Sequence, residues 1–161
     1  MTAPALAPAQ AWCTFQLAGG DYGVELARVQ EVLRSQPVTR LPHAPNAIAG
    51  LMNLRGRIVP VVDTRRLLGL DEPRAGVERR SGFVVVRGAD GPVALLVDAI
   101  GDVRRAESAN PPALLAPPGA TDADGPPLVT STLEFPGLLL VDLDLDRVLE
   151  RAFTHSHRTR T

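Results

Sequence analysis

Lysine is absent from this chain, and all 17 basic side chains are arginine. The codon bias of a high-GC genome produces such a pattern without functional consequence. Cysteine is nearly absent too: Cys13 stands alone, which excludes an intrachain disulfide and gives no argument for an oxidising compartment. Aromatic residues make up only 4%, so a core must be built from Val, Leu, Ile and Ala, and few rings remain to stack on nucleic-acid bases. The net charge of −1 removes any global pull towards nucleic acid or an anionic membrane. No apolar run has membrane-spanning length, since Leu138 to Leu145 is broken by Asp142 and Asp144. The segment Met1 to Gln10 lacks the basic start and continuous apolar stretch of a signal peptide. A soluble cytoplasmic protein, not inserted in the membrane and not bound to nucleic acid, is the expectation.

Catalytic signatures are missing as well. There is no P-loop and no GxGxxG, and Ser35, Ser81, Ser108, Ser131 and Ser156 lie in no nucleophile-elbow motif. Cys13 falls within a strand pattern, and His43, His155 and His157 fall in a loop or in the tail. Asp63, Asp98 and Asp102 sit at strand ends or turns, where Asp caps local amides, and no His or Cys joins them at ligand spacing. Asp142, Asp144 and Asp146 alternate with Val141, Leu143 and Leu145, the pattern of one solvated strand face. No enzyme, no cofactor and no metal site is expected.

What is present is a chain of 161 residues, 45% apolar and 22% charged, enough for one globular domain of two small subdomains. An Ala/Pro-rich arm over 1–11, a folded domain over 12–153 and a flexible tail over 154–161 are expected. Trp12 to Leu17 alternates as a strand does, Gly19-Gly20-Asp21 turns, and Tyr22 to Leu26 resumes the alternation. Val29 to Leu33 fits either a short helix or a strand. Val38 to Leu41 reads as extended, and Pro45-Asn46 opens a helical turn that ends at Gly50. Leu51 to Leu54 and Ile58 to Val62 are strands, and Asp63 caps a short helix that Gly69 stops. The runs Gly82 to Arg87 and Val93 to Val97 form a hairpin whose continuous Val character requires cover on both faces. Asp98 to Asp102 reads as a turn element, and Ala109 to Pro127 as a long proline-rich connector. Leu128 to Leu133 and Leu138 to Leu143 make a last hairpin. Asp146 to Ala152 then closes the domain as a helix with Val148, Leu149 and Phe153 facing inward. Eight to ten short strands at this spacing predict an all-β fold.

One stretch stands out: Ile48-Ala49-Gly50-Leu51-Met52-Asn53-Leu54-Arg55-Gly56-Arg57-Ile58-Val59-Pro60-Val61-Val62-Asp63. Arg55 precedes a glycine between apolar runs, so it sits at a tight bend beside a core. Its planar fork can there hold a carboxylate or several carbonyls. It either satisfies turn carbonyls or pairs with Glu31 as a partly buried ion pair, or it shapes a binding surface. Gly50 and Gly56 are most simply backbone devices, for positive φ or close approach.

Four blocks in this order resemble the CheW family of bacterial chemotaxis coupling proteins. They are Phe15-x-Leu17 with Tyr22-Gly23-Val24 and Val29-x-Glu31-Val32; Leu41-Pro42, Pro45 and Ile48-x-Gly50; Asn53-Leu54-Arg55-Gly56 through Asp63; and Val97-Asp98-x-Ile100-x-Asp102-Val103. The resemblance runs from about Phe15 to Leu149. It implies two intertwined five-stranded SH3-like β-barrels with short helices. It also implies an adaptor that links the cytoplasmic tip of a chemoreceptor to the regulatory domain of a CheA-type histidine kinase, recruited to membrane receptor arrays. By that resemblance Val29, Glu31, Val32, Gly50, Arg55, Ile100 and Val103 belong to a receptor-binding groove between the subdomains. Read alone, Val29, Glu31 and Val32 are core plus one solvated acid. For the kinase, the expectation is an exposed edge of the first subdomain around Leu17, Val24 and Leu26. A coupling protein for type IV pili or second messengers fits the same residues. A β-barrel module for a small ligand or nucleic acid is the alternative from another class.

Overall fold

Valine at successive positions leaves a strand apolar on both faces, and the chain meets that demand by building two sheets around a shared core. The computed structural model describes residues 10–70, 82–106, 113–115 and 128–154. The expected N-terminal arm up to residue 9, the loop over 71–81, the tail from residue 155 and most of the proline-rich connector lie outside the described residues. In chain order the strands are β1 (Ala11–Leu17), β2 (Gly20–Glu25), β3 (Val29–Leu33), β4 (Ile48–Leu54), β5 (Arg57–Asp63), β6 (Gly82–Gly88), β7 (Gly91–Val97), β8 (Ala99–Arg105), β9 (Ala113–Leu115), β10 (Val129–Phe135) and β11 (Leu138–Leu143). Helix α1 (Thr64–Leu67) follows β5, and α2 (Leu145–Thr154) follows β11.

The strands form a six-stranded sheet, ordered β8-β1-β2-β11-β10-β9, and a five-stranded sheet, ordered β3-β6-β7-β5-β4. The chain starts the first sheet with β1 and β2, leaves to build all of the second, then returns to complete the first. These are the two intertwined SH3-like, barrel-like sheets implied by the resemblance, with β9 from the connector added as a sixth strand. Each contains one parallel pair, β2 with β11 and β5 with β7, and its other pairs are antiparallel.

Side-chain alternation sorts the core into three parts. On β6, Phe83 and Val85 face the interior of the five-stranded sheet, with Met52, Val59, Val61 and Ala94. Val84 and Val86 face the other way, into a core shared with Cys13, Phe15, Leu17 and Val24 of the six-stranded sheet. Trp12, Leu133, Phe135 and Leu140 fill the interior of the six-stranded sheet, where the Trp12 and Phe135 rings meet edge to face at 5.8 Å. Helix α2 closes the shared core with Leu145, Val148, Leu149 and Ala152.

Several local expectations are corrected. Asp98 to Asp102 is not a turn: all but Asp98 lies in β8, an edge strand whose polar residues are tolerated because β1 alone pairs with it. The helical turn begun at Pro45-Asn46 gives way at Ile48 to β4, and Gly50 lies inside that strand at a bulge opposite Val61 and Val62. Val29 to Leu33 is a strand, preceded by the 3-10 turn Leu26–Arg28. Phe153 is exposed rather than inward-facing, while Val148 and Leu149 are buried. Asp142 and Asp144 are half-buried rather than on a solvated strand face, and Asp146 lies beyond β11, in α2. By contrast, Asp63 does cap its helix, accepting the Arg66 amide at 3.1 Å.

Candidate functional site

Arg55 and Gly56 have φ of 52° and 82°, two successive left-handed residues joining β4 to β5 in a tight hairpin. The Asn53 side-chain oxygen accepts the Gly56 amide at 2.9 Å and holds the turn. From it the Arg55 guanidinium reaches Glu31 on β3 with both fork nitrogens, Nη1 to Oε2 at 2.7 Å and Nη2 to Oε1 at 3.1 Å. The expected pair is present, but it is not buried. The Arg55 side chain is 75% exposed and that of Glu31 21% exposed.

Of the remaining expected groove residues, Val29 and Val32 lie on β3 and Ile100 and Val103 on β8, one edge strand of each sheet. Val32 on β3 and Val103 on β8 are exposed by 41% and 46%. Val29 and Ile100 are half-buried and pack on the shared core beneath. The two edges converge at Gly82, at the start of β6: a Cβ built there would lie 2.6 Å from Ile100 Cγ1 and 3.6 Å from the Leu33 carbonyl oxygen. Val29, Val32, Ile100 and Val103 stand in register with Val86, Val84, Phe15 and Cys13 of the shared core, whereas Glu31 stands in register with Val85, on the other face of β3. Gly50 does not join them at the surface. It is buried, with φ of 154°, and any Cβ there would run into the Thr39 backbone, so its role is close chain approach.

Two of the three residues expected on an exposed edge for the kinase are not exposed. Leu17 and Val24 are fully buried in the shared core, covered by Val84, Val86, Val93, Leu95 and Val97 of the other sheet. Leu26 is half-buried against the same core.

Three features escaped sequence reasoning because they join residues far apart in the chain. Arg65 of α1 bridges to Asp98 at 2.9 Å, and Asp98 also accepts the Ala18 amide at 2.8 Å. A groove of about 570 Å³ between the β6–β7 turn, the start of β5 and α2 is lined by Ile58, Pro60, Pro92, Leu149 and Phe153. The third is the fit of Ile100 over Gly82. Only the glycine heading a Val-rich strand hinted at it, since Gly inside a strand marks close approach.

Burial shifts two titratable groups, a thiol and a carboxyl. Burial pushes the Cys13 thiol above its ordinary value, which disfavours the reactive thiolate. Burial also raises the Asp142 carboxyl to about 6, against the Trp12 indole N–H and with the help of the Glu25 and Asp144 charges. Among the described residues, no group of three His, Cys, Asp or Glu side chains could hold a metal ion. No helix among them is long and apolar enough to cross a membrane.

A family model described as the CheW-like domain matches residues 11–153. The chain is 33% identical over 92 residues to a "Chemotaxis protein CheW" of Treponema pallidum, covering 56% of this chain and 54% of that one. It is 34% identical over 116 residues to "Protein FrzA" of Myxococcus xanthus, covering 72% and 69%. Among solved structures it resembles the scaffolding protein TtCheW from Thermoanaerobacter tengcongensis, with 25% identity and a TM-score of 0.74 over 89% of this chain and 94% of that chain. The matched segments span about half the length of several curated relatives, including those from Treponema pallidum and Rhizobium meliloti. With a family model spanning all eleven of its described strands and a solved relative of the same fold, this chain belongs to the CheW-like domain family.

Proposed function

We propose that the chain is a non-catalytic adaptor that couples the cytoplasmic tip of a chemoreceptor to a CheA-type histidine kinase regulatory domain. In this reading it works in the cytoplasm and is drawn to membrane receptor arrays by its partners. Family membership and the chemotaxis and scaffolding names of its relatives support this reading. The observation that carries it is that Val32 and Val103 are exposed on edge strands of different sheets, in register with Val84 and Cys13 of the shared core. Exposed apolar side chains over a packed floor, with Glu31 and Arg55 at the rim, have the make-up of a groove for an apolar helical ridge.

The test is a pull-down of the full chain with a receptor cytoplasmic fragment and with a kinase regulatory domain from the same genome. Val32→Asp and Val103→Asp are run alongside, with circular dichroism as the check on folding. The expected result is wild-type binding to both partners, with each folded variant losing the receptor and keeping the kinase. Wild-type protein that is folded and binds neither partner would overturn the reading.

A further inference from the structure

Gly82 heads β6 within the hairpin that lies between the two expected walls of the groove, and it has no positive φ to explain its identity. Its surroundings do. A Cβ at this position would stand 2.6 Å from Ile100 Cγ1 and 2.8 Å from Ile100 Cδ1, where carbon atoms in contact keep about 3.5–4.0 Å. The Leu33 carbonyl oxygen of β3 lies 3.6 Å from the same point. The place of a missing side chain is therefore filled from β8 on one side and bounded by β3 on the other.

Ile100 is half-buried, so the only room it has to retreat is outward, toward solvent. It is β-branched and stiff at χ1, it stands in register with the fully buried Phe15 of β1, and it packs on the shared core. The next residue, Gly101, presses so closely on β1 that a Cβ there would run into Thr14. The Thr14 hydroxyl donates to the Asp102 carbonyl and fastens β8 again. With β8 pinned to β1, a methyl group at position 82 must push Ile100 outward or force the β3–β6 edge away from β8.

We propose that Gly82 is a positioning residue for partner binding: the absence of its side chain seats Ile100 and sets the spacing between the β3 and β8 walls of the groove. The inference rests on the groove reading given above. A helix packs against its neighbours at interaxial distances of about 8–10 Å set by the side chains at the contact, so an outward Ile100 would keep an incoming helix off the floor.

The experiment is a double-mutant cycle of Gly82→Ala and Ile100→Ala in the full chain. It is read as affinity for a receptor cytoplasmic fragment and, without any partner, as thermal midpoint and hydrogen exchange of the β3 and β8 amides. Gly82→Ala is expected to weaken receptor binding by about tenfold or more when Ile100 is present, and by less than about twofold in the Ile100→Ala background. The midpoint should fall, and edge-strand exchange should quicken, only when Ile100 is present. Equal losses in both backgrounds, or wild-type affinity in Gly82→Ala, would overturn the proposal. Should Gly82→Ala fail to fold, recovery of folding in the double variant supports the seat, and continued unfolding overturns it. If the wild-type protein binds no receptor fragment, the groove reading falls with its positioning role, while coupling in the partner-free measurements still establishes the Gly82–Ile100 seat.

Discussion

Arg55 and Glu31 hold together strands that no backbone ladder joins. Glu31 lies on β3 and Arg55 on the turn between β4 and β5, and β3 and β4 stand at opposite ends of the five-stranded order. The two-point fork, at 2.7 and 3.1 Å, therefore clasps the open seam of that sheet. It does so at the surface, with three quarters of the Arg55 side chain exposed to solvent. That exposure decides what the clasp contributes.

A solvent-screened pair is worth roughly 0.2–1 kcal/mol, far below the cost of breaking a buried one. Arg55→Ala and Glu31→Ala are each expected to lower stability by no more than about 1 kcal/mol. Thermal melts of the two single variants and the double variant would check this, repeated at high salt to remove the screened coupling. A loss of receptor binding by folded Arg55→Ala then reports on the surface itself and not on a collapsed barrel. A loss of several kcal/mol would show that the clasp bears on the whole sheet.

The hairpins are legible in the sequence because their turns announce themselves. Asn53 to Gly56, Gly88 to Gly91 and Glu134 to Gly137 each carry a glycine between apolar runs, although β4 starts three residues earlier than the pattern, β7 two earlier, and β10 runs two residues further, to Phe135. The strand β8 is hidden, since Gly101, Asp102, Arg104 and Arg105 look like a loop and are allowed by a single paired edge. Alternation also tells which side chains share a face without telling what covers that face. Leu17 and Val24 read as a half-exposed edge, yet the second sheet, formed by a later stretch of chain, buries them. The Arg55–Glu31 pair could be foreseen from its chemistry. Its exposure depends on how far the barrel curls, which no local pattern encodes.

A second ion pair should behave differently. The Arg65 side chain is only 14% exposed, and its Nε and Nη1 are buried without a partner among the described residues, so Asp98 is the main compensation for its charge. Asp98→Ala leaves that charge uncompensated. It is expected to cost about 2 kcal/mol, less than the ~3–5 kcal/mol of a fully buried pair because Asp98 is itself partly solvated. Replacing Arg65 by Met in the same chain should recover most of the loss, since an apolar side chain of similar length needs no counter-charge. Urea unfolding of the wild type, the single variant and the double variant would decide it. No recovery in the double variant would assign the loss to the Ala18 turn amide that Asp98 also accepts.

Asp142 makes stability depend on pH in an unusual direction. Its carboxyl is raised from 3.8 to about 6, first by burial and then by Glu25 and Asp144, against the pull of the Trp12 indole N–H. The nearby Arg28 is committed to Asp146 and to the Arg87 carbonyl. Between these two values the folded chain holds a proton that the unfolded chain has released. The stabilisation from this group is therefore complete below about pH 4 and is lost as pH rises through about 6. Two units correspond to about 3 kcal/mol, which partial solvation of the carboxyl reduces to about 1–2 kcal/mol. Asp142→Asn should accordingly be more stable than the wild type near pH 8, with the advantage disappearing near pH 4. The one tryptophan of the chain, Trp12, lies beside this carboxyl, although its indole Nε1 makes no hydrogen bond of full geometry among the described residues. Its fluorescence should titrate with a midpoint near 6 in the wild type and stay flat across that range in Asp142→Asn. A stability difference that is the same at both pH values, with no Trp12 titration, would mean that the carboxyl ionises as it does in water.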